Sequence, residues 1–409
     1  MASANGLSMG SQWALTDSRR GGWRKKAATE AVLTSDLQRT LAAISAVMPP
    51  PQHDAITMQE TPDRAVSFRS RFRGTFALRC HRLASLWTSL RGDAAAQPSR
   101  RWRLATLLLI LAGLGAGNGT AASTCKAPVA VQVLGSGGPE AQQERASAGY
   151  LLWLEGKARV LVDLGGGSFA RYGASGARFA DLDLIALTHL HADHATDLPA
   201  LLKSGYFSGR SRALPIAGPT GGGDYPDLEG YLQGLFAAQT GAFGYLAGYL
   251  DGSDGLVRLE LRMLEADSRE PIPVLETDEY RISAIGVSHG PVPALAYRID
   301  LGDQRIVFSG DLNGDDPWFV DFARDADLLI MGHAVPEQAG AVAARLHALP
   351  SEIAEIAKAA AVKHLVLSHL MRRSEQALDD SLARIRGVYE GELSVASDLD
   401  CFGLEPPGR

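Results

Sequence analysis

Four side chains able to hold a metal crowd into six positions: His189, His191, Asp193 and His194, within Thr188-His189-Leu190-His191-Ala192-Asp193-His194. Imidazole nitrogens and a carboxylate together suit a divalent ion such as zinc, and a catalytic site keeps one coordination position open for water. The chemistry to expect is a metal-bound water made more acidic by the ion. A polar loop that merely happens to hold three histidines is a poor account in a chain with 10 His among 409 residues. The apolar run Leu184-Ile185-Ala186-Leu187 reads as a buried strand leading into the cluster. Thr196-Asp197-Leu198-Pro199 reads as a helix start leaving it, with a polar cap and an early proline. The cluster therefore sits on a strand-to-helix turn.

This His-x-His-x-Asp-His stretch resembles the signature of the metallo-β-lactamase-fold hydrolases. Further motifs follow that family's order, each at a strand end. They are Asp163-Leu164-Gly165-Gly166-Gly167, then Ser288-His289-Gly290-Pro291, Ser309-Gly310-Asp311 and Ser368-His369-Leu370. The stretch Ala296-Tyr297-Arg298-Ile299, just after His289, is similar to the ribonuclease Z branch, to which arylsulfatase-like and phosphodiesterase-like enzymes are related. The resemblance implies two divalent metal ions, Zn2+ in character. His189, His191 and His289 would hold one, Asp193, His194 and His369 the other, and Asp311 would bridge them. It implies that Asp163 orients the metal loop by hydrogen bonding, that Asp193 orients the attacking water, and that His347 assists proton transfer.

His333 follows a buried strand where that branch commonly reads His-Glu-Ala; here Ala334 replaces the acid, so His333 is expected near the site rather than in it. The loop from Gly135 to Ser147 resembles the branch's substrate loop. Pro139 and Arg145 survive in it, but Gln142 or Gln143 stands for Lys and Ala146 for Asn. Arg145 is thus a candidate substrate contact.

To position these residues the chain must supply strands ending at each motif. Short apolar runs predict strands over 129–134, 150–154, 158–162, 213–217, 281–287, 294–300, 305–308, 328–330 and 364–367, and the final stretch 393–403 reads as a short strand and tail. Helices are expected over 198–207 and from His347 onward, with a broken helical stretch at 227–250. The resemblance implies an α+β fold, a four-layer αβ/βα sandwich with both metals between the sheets, over residues 125–409.

Charge divides the chain. Residues 1–103 carry 16 Lys+Arg against 7 Asp+Glu, leaving about −15 on residues 104–409 of a chain whose net charge is −6. Residues 1–98 lack a sustained hydrophobic period and read as a disordered basic extension, or as sequence upstream of the native start. Within 99–124, the basic Ser99-Arg100-Arg101-Trp102-Arg103 precedes an apolar core and a small-residue exit, the layout of a secretory signal peptide. The core is short for a spanning helix. This predicts a periplasmic or secreted enzyme, or an inner-membrane anchor through residues 104–122 if they stay attached. In an oxidising compartment Cys125 and Cys401 are natural disulfide partners. A lipid-bearing Cys125, or two free thiols, are the other readings.

The reading that results is an exported dinuclear-metal hydrolase of a small phosphodiester or sulfate ester. The alternatives are a ribonuclease Z-type tRNA 3′-processing endonuclease, and a lactonase or β-lactamase-like hydrolase. The acidity of residues 104–409 argues against a nucleic-acid partner, since phosphate binding relies on clustered Lys and Arg. A small-molecule ester and a homodimer are the partners expected instead.

Overall fold

A computed structural model describes residues 125–404. The basic extension and the signal-like segment lie outside the described residues, as do residues 405–409. Fourteen strands form two seven-stranded sheets among the described residues. The first runs β14-β1-β2-β3-β4-β5-β6, from β1 (Val129–Gly135), β2 (Gly149–Leu154), β3 (Lys157–Leu164), β4 (Leu184–Ala186), β5 (Leu214–Pro219), β6 (Leu259–Leu264) and β14 (Cys401–Leu404). The second runs β13-β12-β11-β10-β9-β8-β7, from β7 (Ile272–Glu276), β8 (Arg281–His289), β9 (Val292–Leu301), β10 (Gln304–Phe308), β11 (Leu328–Gly332), β12 (His364–Ser368) and β13 (Glu392–Val395).

Period-2 alternation explains the layering. Val131, Leu152, Val160, Val162 and Leu184 point inward to meet Ile282, Tyr297, Ile306, Ile330 and Val366 of the opposite sheet in one core. Their neighbours Leu151, Leu161 and Ile185 point outward, under helices α1 (Ser168–Ser175), α2 (Ala192–Ala195), α3 (Leu198–Gly205) and α4 (Leu228–Phe236). Leu329, Met331, Leu365 and Leu367 point outward from the second sheet, under α5 (Pro317–Phe322), α6 (Pro350–Ala359) and α7 (Leu378–Arg386). Burial on both faces is why the central strands read as continuous apolar runs rather than alternating ones. This is the expected four-layer αβ/βα sandwich.

Two strands lack a counterpart in the sequence reading. Segments 259–264 and 272–276 carry Glu260 on a half-buried position and Arg262 and Glu276 on exposed ones, so neither shows an apolar run. They close the far edges of the two sheets, and the loop between them lines a groove together with His289. At the other edge, Cys125 and Cys401 are joined as a disulfide with Cα atoms 5.7 Å apart. The bridge pins the lead into β1 to β14, which pairs antiparallel with β1.

β3, β4 and β5 run parallel, as do β10, β11 and β12. Their carboxyl ends gather Asp163, the His189–His194 loop, Asp311, His333 and His369 in one crevice. Ligand sites of sheets with parallel strands form at such ends, because the loops there converge from several strands.

Candidate metal centre

His189, Asp193, His194, His289, Asp311 and His369 are all buried, an arrangement that is costly for polar rings and carboxylates unless something compensates. Two clusters form. His189 Nε2 lies 3.1 Å from His191 Nδ1, and His289 Nε2 lies 3.4 Å from that same atom. His369 Nε2 lies 3.1 Å from both His194 Nε2 and Asp193 Oδ2. Donors about 2.0–2.1 Å from a tetrahedral ion stand about 3.3–3.4 Å from one another. The spacing is that of ligand atoms around an ion.

Asp311 lies between the clusters. Its Oδ1 is 3.6 Å from His194 Nε2, and its Oδ2 is 3.7 Å from His289 Nε2 and 3.4 Å from His369 Nε2. Buried Oδ1 has no hydrogen-bond partner, and neither has His369 Nδ1. Burial pushes the Asp311 carboxyl up, but the surrounding His369, His194, His347 and His289 outweigh it and hold the group well below the usual range. Burial also disfavours charge on His194, yet Asp163 and Asp311 raise its imidazole to about 10. Without cations, protons on imidazole stand where positive charge is needed. Divalent ions would displace them on binding. The donor set, the orphaned carboxylate oxygen and the ligand spacing all fit a pair of divalent metals.

Hydrogen bonds fix which nitrogen faces inward. Asp163 Oδ2 accepts from His194 Nδ1 at 2.7 Å, leaving Nε2 for a metal. The same carboxylate accepts from the Thr188 backbone N–H at 2.7 Å and from Thr188 Oγ1 at 2.8 Å. The Leu346 carbonyl accepts from His289 Nδ1 at 2.7 Å, a constraint no sequence pattern discloses because its acceptor is backbone. Asp163 and His369 both hold positive φ, 56° and 55°. Non-glycine residues reach that region at a cost of about 1–2 kcal/mol each, tolerated where it aims a side chain. Gly165 permits the close packing of this loop, since a Cβ there would lie 1.9 Å from the Asp193 carbonyl oxygen. Asp163→Asn is expected to lower affinity at the Asp193–His194–His369 cluster by roughly 10–100-fold, because the amide cannot set the His194 tautomer. Competition with a chelating dye measures this, and unchanged affinity would contradict the role.

The remaining candidates separate. His347 is buried beside the clusters, with Nδ1 3.7 Å from Asp311 Oδ2. Burial lowers its pKa to about 4 against the opposing pull of Asp311, so the ring rests neutral at neutral pH. His333 is fully buried at the end of β11, and neither ring nitrogen bonds any residue. Its backbone N–H donates to the Ser368 carbonyl at 2.8 Å, placing it beside the site and outside both clusters. Arg145 has partners of its own within the chain. Its guanidinium donates to Glu375 at 2.7 Å, Ser136 Oγ at 2.7 Å and the Ala396 carbonyl at 2.6 Å. These bonds engage Nε and Nη1 and tie the first loop to the carboxyl-terminal segment, while Arg145 also lines a cavity with Arg171 and Arg372. Tyr225, which sequence reasoning passed over, stands with its ring 6.2 Å from that of His191.

A beta-lactamase superfamily domain model matches residues 158–370, which hold all seven candidate ligands. Ribonuclease Z of Methanosarcina acetivorans is 28% identical over 68% of this chain and 98% of its own length. Ribonuclease Z of Pseudomonas putida F1 is 28% identical over 66% of this chain and 94% of its own length. Among solved structures, the human short-form tRNase Z aligns with a TM-score of 0.52 at 21% identity, over 68% of this chain and 99% of that one. The metallo-beta-lactamase fold protein YhfI of Bacillus subtilis aligns at 0.51 and 23% identity, over 67% and 99%. These two are likenesses of fold. The ribonuclease Z relatives overturn the expectation, drawn from net charge, that nucleic acid is not a partner: chains similar along nearly their whole length are ribonucleases.

Proposed function

Because the chain belongs to the beta-lactamase superfamily and is a hydrolase of the metallo-beta-lactamase fold, we propose that it cleaves RNA phosphodiesters as a ribonuclease Z-type endonuclease using two zinc ions. The observation that carries this reading is the match to ribonuclease Z along 98% of that enzyme's length. A pair of such ions brings the pKa of a water toward neutrality and steadies charge on the attacked phosphoryl group and leaving oxygen.

The chain's own residues do the rest. Asp193 directs one oxygen at His369 Nε2, 3.1 Å away, so its second oxygen is left to orient the attacking water or accept its proton. His347, on the Asp311 side of the clusters, stands where its ring can hydrogen-bond the departing oxygen or, once protonated, give it a proton. His347→Ala should therefore leave metal content intact. It should lower turnover by about 10²-fold on poor leaving groups, and by less on nitrophenolate esters. Equal loss on both classes, read from kcat for the paired substrates, would assign His347 a structural role instead.

A second reading, an extracytoplasmic hydrolase of a small phosphodiester or sulfate ester, is favoured by one observation. The Cys125–Cys401 disulfide is the kind that persists in oxidising compartments. Incubating the zinc-loaded enzyme with a precursor tRNA carrying a 3′ trailer, an aryl phosphodiester and an aryl sulfate separates the two. A single endonucleolytic cut at the trailer junction supports the first reading. Turnover of the aryl esters with the RNA left whole overturns it in favour of the second.

A further inference from the structure

A groove of about 430 Å³ opens beside His289, between the Thr220–Gly222 turn, the loop that joins β6 to β7, and the turn from β8 to β9. His289 and Gly290 form its wall at the metal end, and Arg269 and Trp318 line it as well. Trp318 is held rigidly, because its indole N–H donates to the Gly286 carbonyl at 2.9 Å. The Arg269 guanidinium stacks over that ring, 4.7 Å from the centroid. Gly286 makes the approach of this loop possible: a Cβ there would lie 2.1 Å from the Ala266 carbonyl oxygen, and the Gly286 N–H donates to the Ser268 carbonyl at 2.9 Å.

Stacking orients a guanidinium without using its N–H donors. Among the described residues Arg269 has no carboxylate partner, although Glu265 and Asp267 line the same groove. Most other arginines that border cavities of this domain are committed: Arg145 to Glu375, Arg171 to Asp398, Arg298 and Arg305 to Asp300. Gly286 precedes His289 by three strand residues, about 10 Å of β8. The groove therefore sets a planar cation without a carboxylate partner along the path that leads away from His289, where a phosphate next to the one being cleaved could meet it. Planar guanidinium donors match two phosphate oxygens at once.

We propose that Arg269, held by Trp318, binds a second phosphate of the substrate, one nucleotide away from the scissile bond, and so selects nucleotide chains over simple phosphodiesters. The inference rests on the phosphodiesterase reading above.

Its test uses the zinc-loaded full chain and two pairs of substrates. One pair is thymidine 5′-(p-nitrophenyl phosphate) with and without a 3′-phosphate. The other is thymidine 3′-(p-nitrophenyl phosphate) with and without a 5′-phosphate. In wild type the added phosphate should lower KM roughly tenfold in one of the pairs, the value of one charge-assisted contact. Arg269→Ala should abolish that gain while leaving kcat and KM for the unphosphorylated esters unchanged. Trp318→Leu should remove most of it, since the guanidinium loses its platform, and Arg269→Lys should restore little. An added phosphate without effect on KM in either pair, or a gain that survives Arg269→Ala, overturns the inference and leaves the phosphodiesterase reading standing. No hydrolysis of any of the four esters by wild type, with the precursor tRNA also left whole, would overturn that reading itself.

Discussion

Replacing Asp311 by alanine is expected to leave at most one tightly held divalent ion per chain and to lower phosphodiester turnover by roughly 10³-fold. Asp311 is the carboxylate whose oxygens approach imidazoles of both clusters, at 3.6 Å for His194 and 3.7 Å for His289. Removing it leaves six donors split into two groups that share no ligand. It also removes the negative charge that offsets two positive ions held close together. Asp311→Asn should fall between, since it keeps the shape and one acceptor oxygen while losing the charge. Elemental analysis of dialysed protein gives the stoichiometry, and kcat on an aryl phosphodiester gives the rate. Two retained equivalents in Asp311→Ala would show that the ions do not depend on a shared carboxylate.

Loss of the Cys125–Cys401 bridge is expected to lower the melting temperature by about 10 °C. The two cysteines are separated by 276 positions, and the chain-entropy model assigns up to about 5 kcal/mol to closing so long a loop, with real bridges often delivering less. For a domain of this size each 1 kcal/mol moves Tm by about 2–4 °C. The bridge also keeps β14 on β1, through the register Val129↔Leu404 to Gln132↔Cys401. Tm of the Cys125→Ser/Cys401→Ser double variant, and of wild type with and without reductant, checks this. Identical melting in all three samples would contradict it. Activity should persist at 25 °C, because the bridge lies at the sheet edge away from the metal-bearing crevice.

The metal centre was the most legible part of the chain, for a physical reason. Ligands from one loop must be close in sequence, so His189, His191, Asp193 and His194 appear together. His289, Asp311 and His369 each follow a strand whose apolar run marks its end. What escaped was whatever depends on backbone or on distant pairing. The Leu346 carbonyl that orients His289 could be any residue's carbonyl. β6 and β7 sit at sheet edges, where exposure lets polar residues interrupt the pattern. The ties that Arg145 makes were hidden in the same way, because its partners Glu375 and Ala396 lie more than two hundred positions away. Net charge misled about nucleic acid because it averages over the whole surface. Phosphate recognition at a centre of this kind depends on the local field of bound cations and a few oriented donors.

Anomalous diffraction at the zinc edge, on crystals of the zinc-loaded protein, tests the central claim most directly. The account predicts two peaks about 3.5–4 Å apart. One should be enclosed by His189, His191 and His289, the other by Asp193, His194 and His369, with an Asp311 oxygen facing each. A single peak, or a second peak seated away from Asp311, would contradict it.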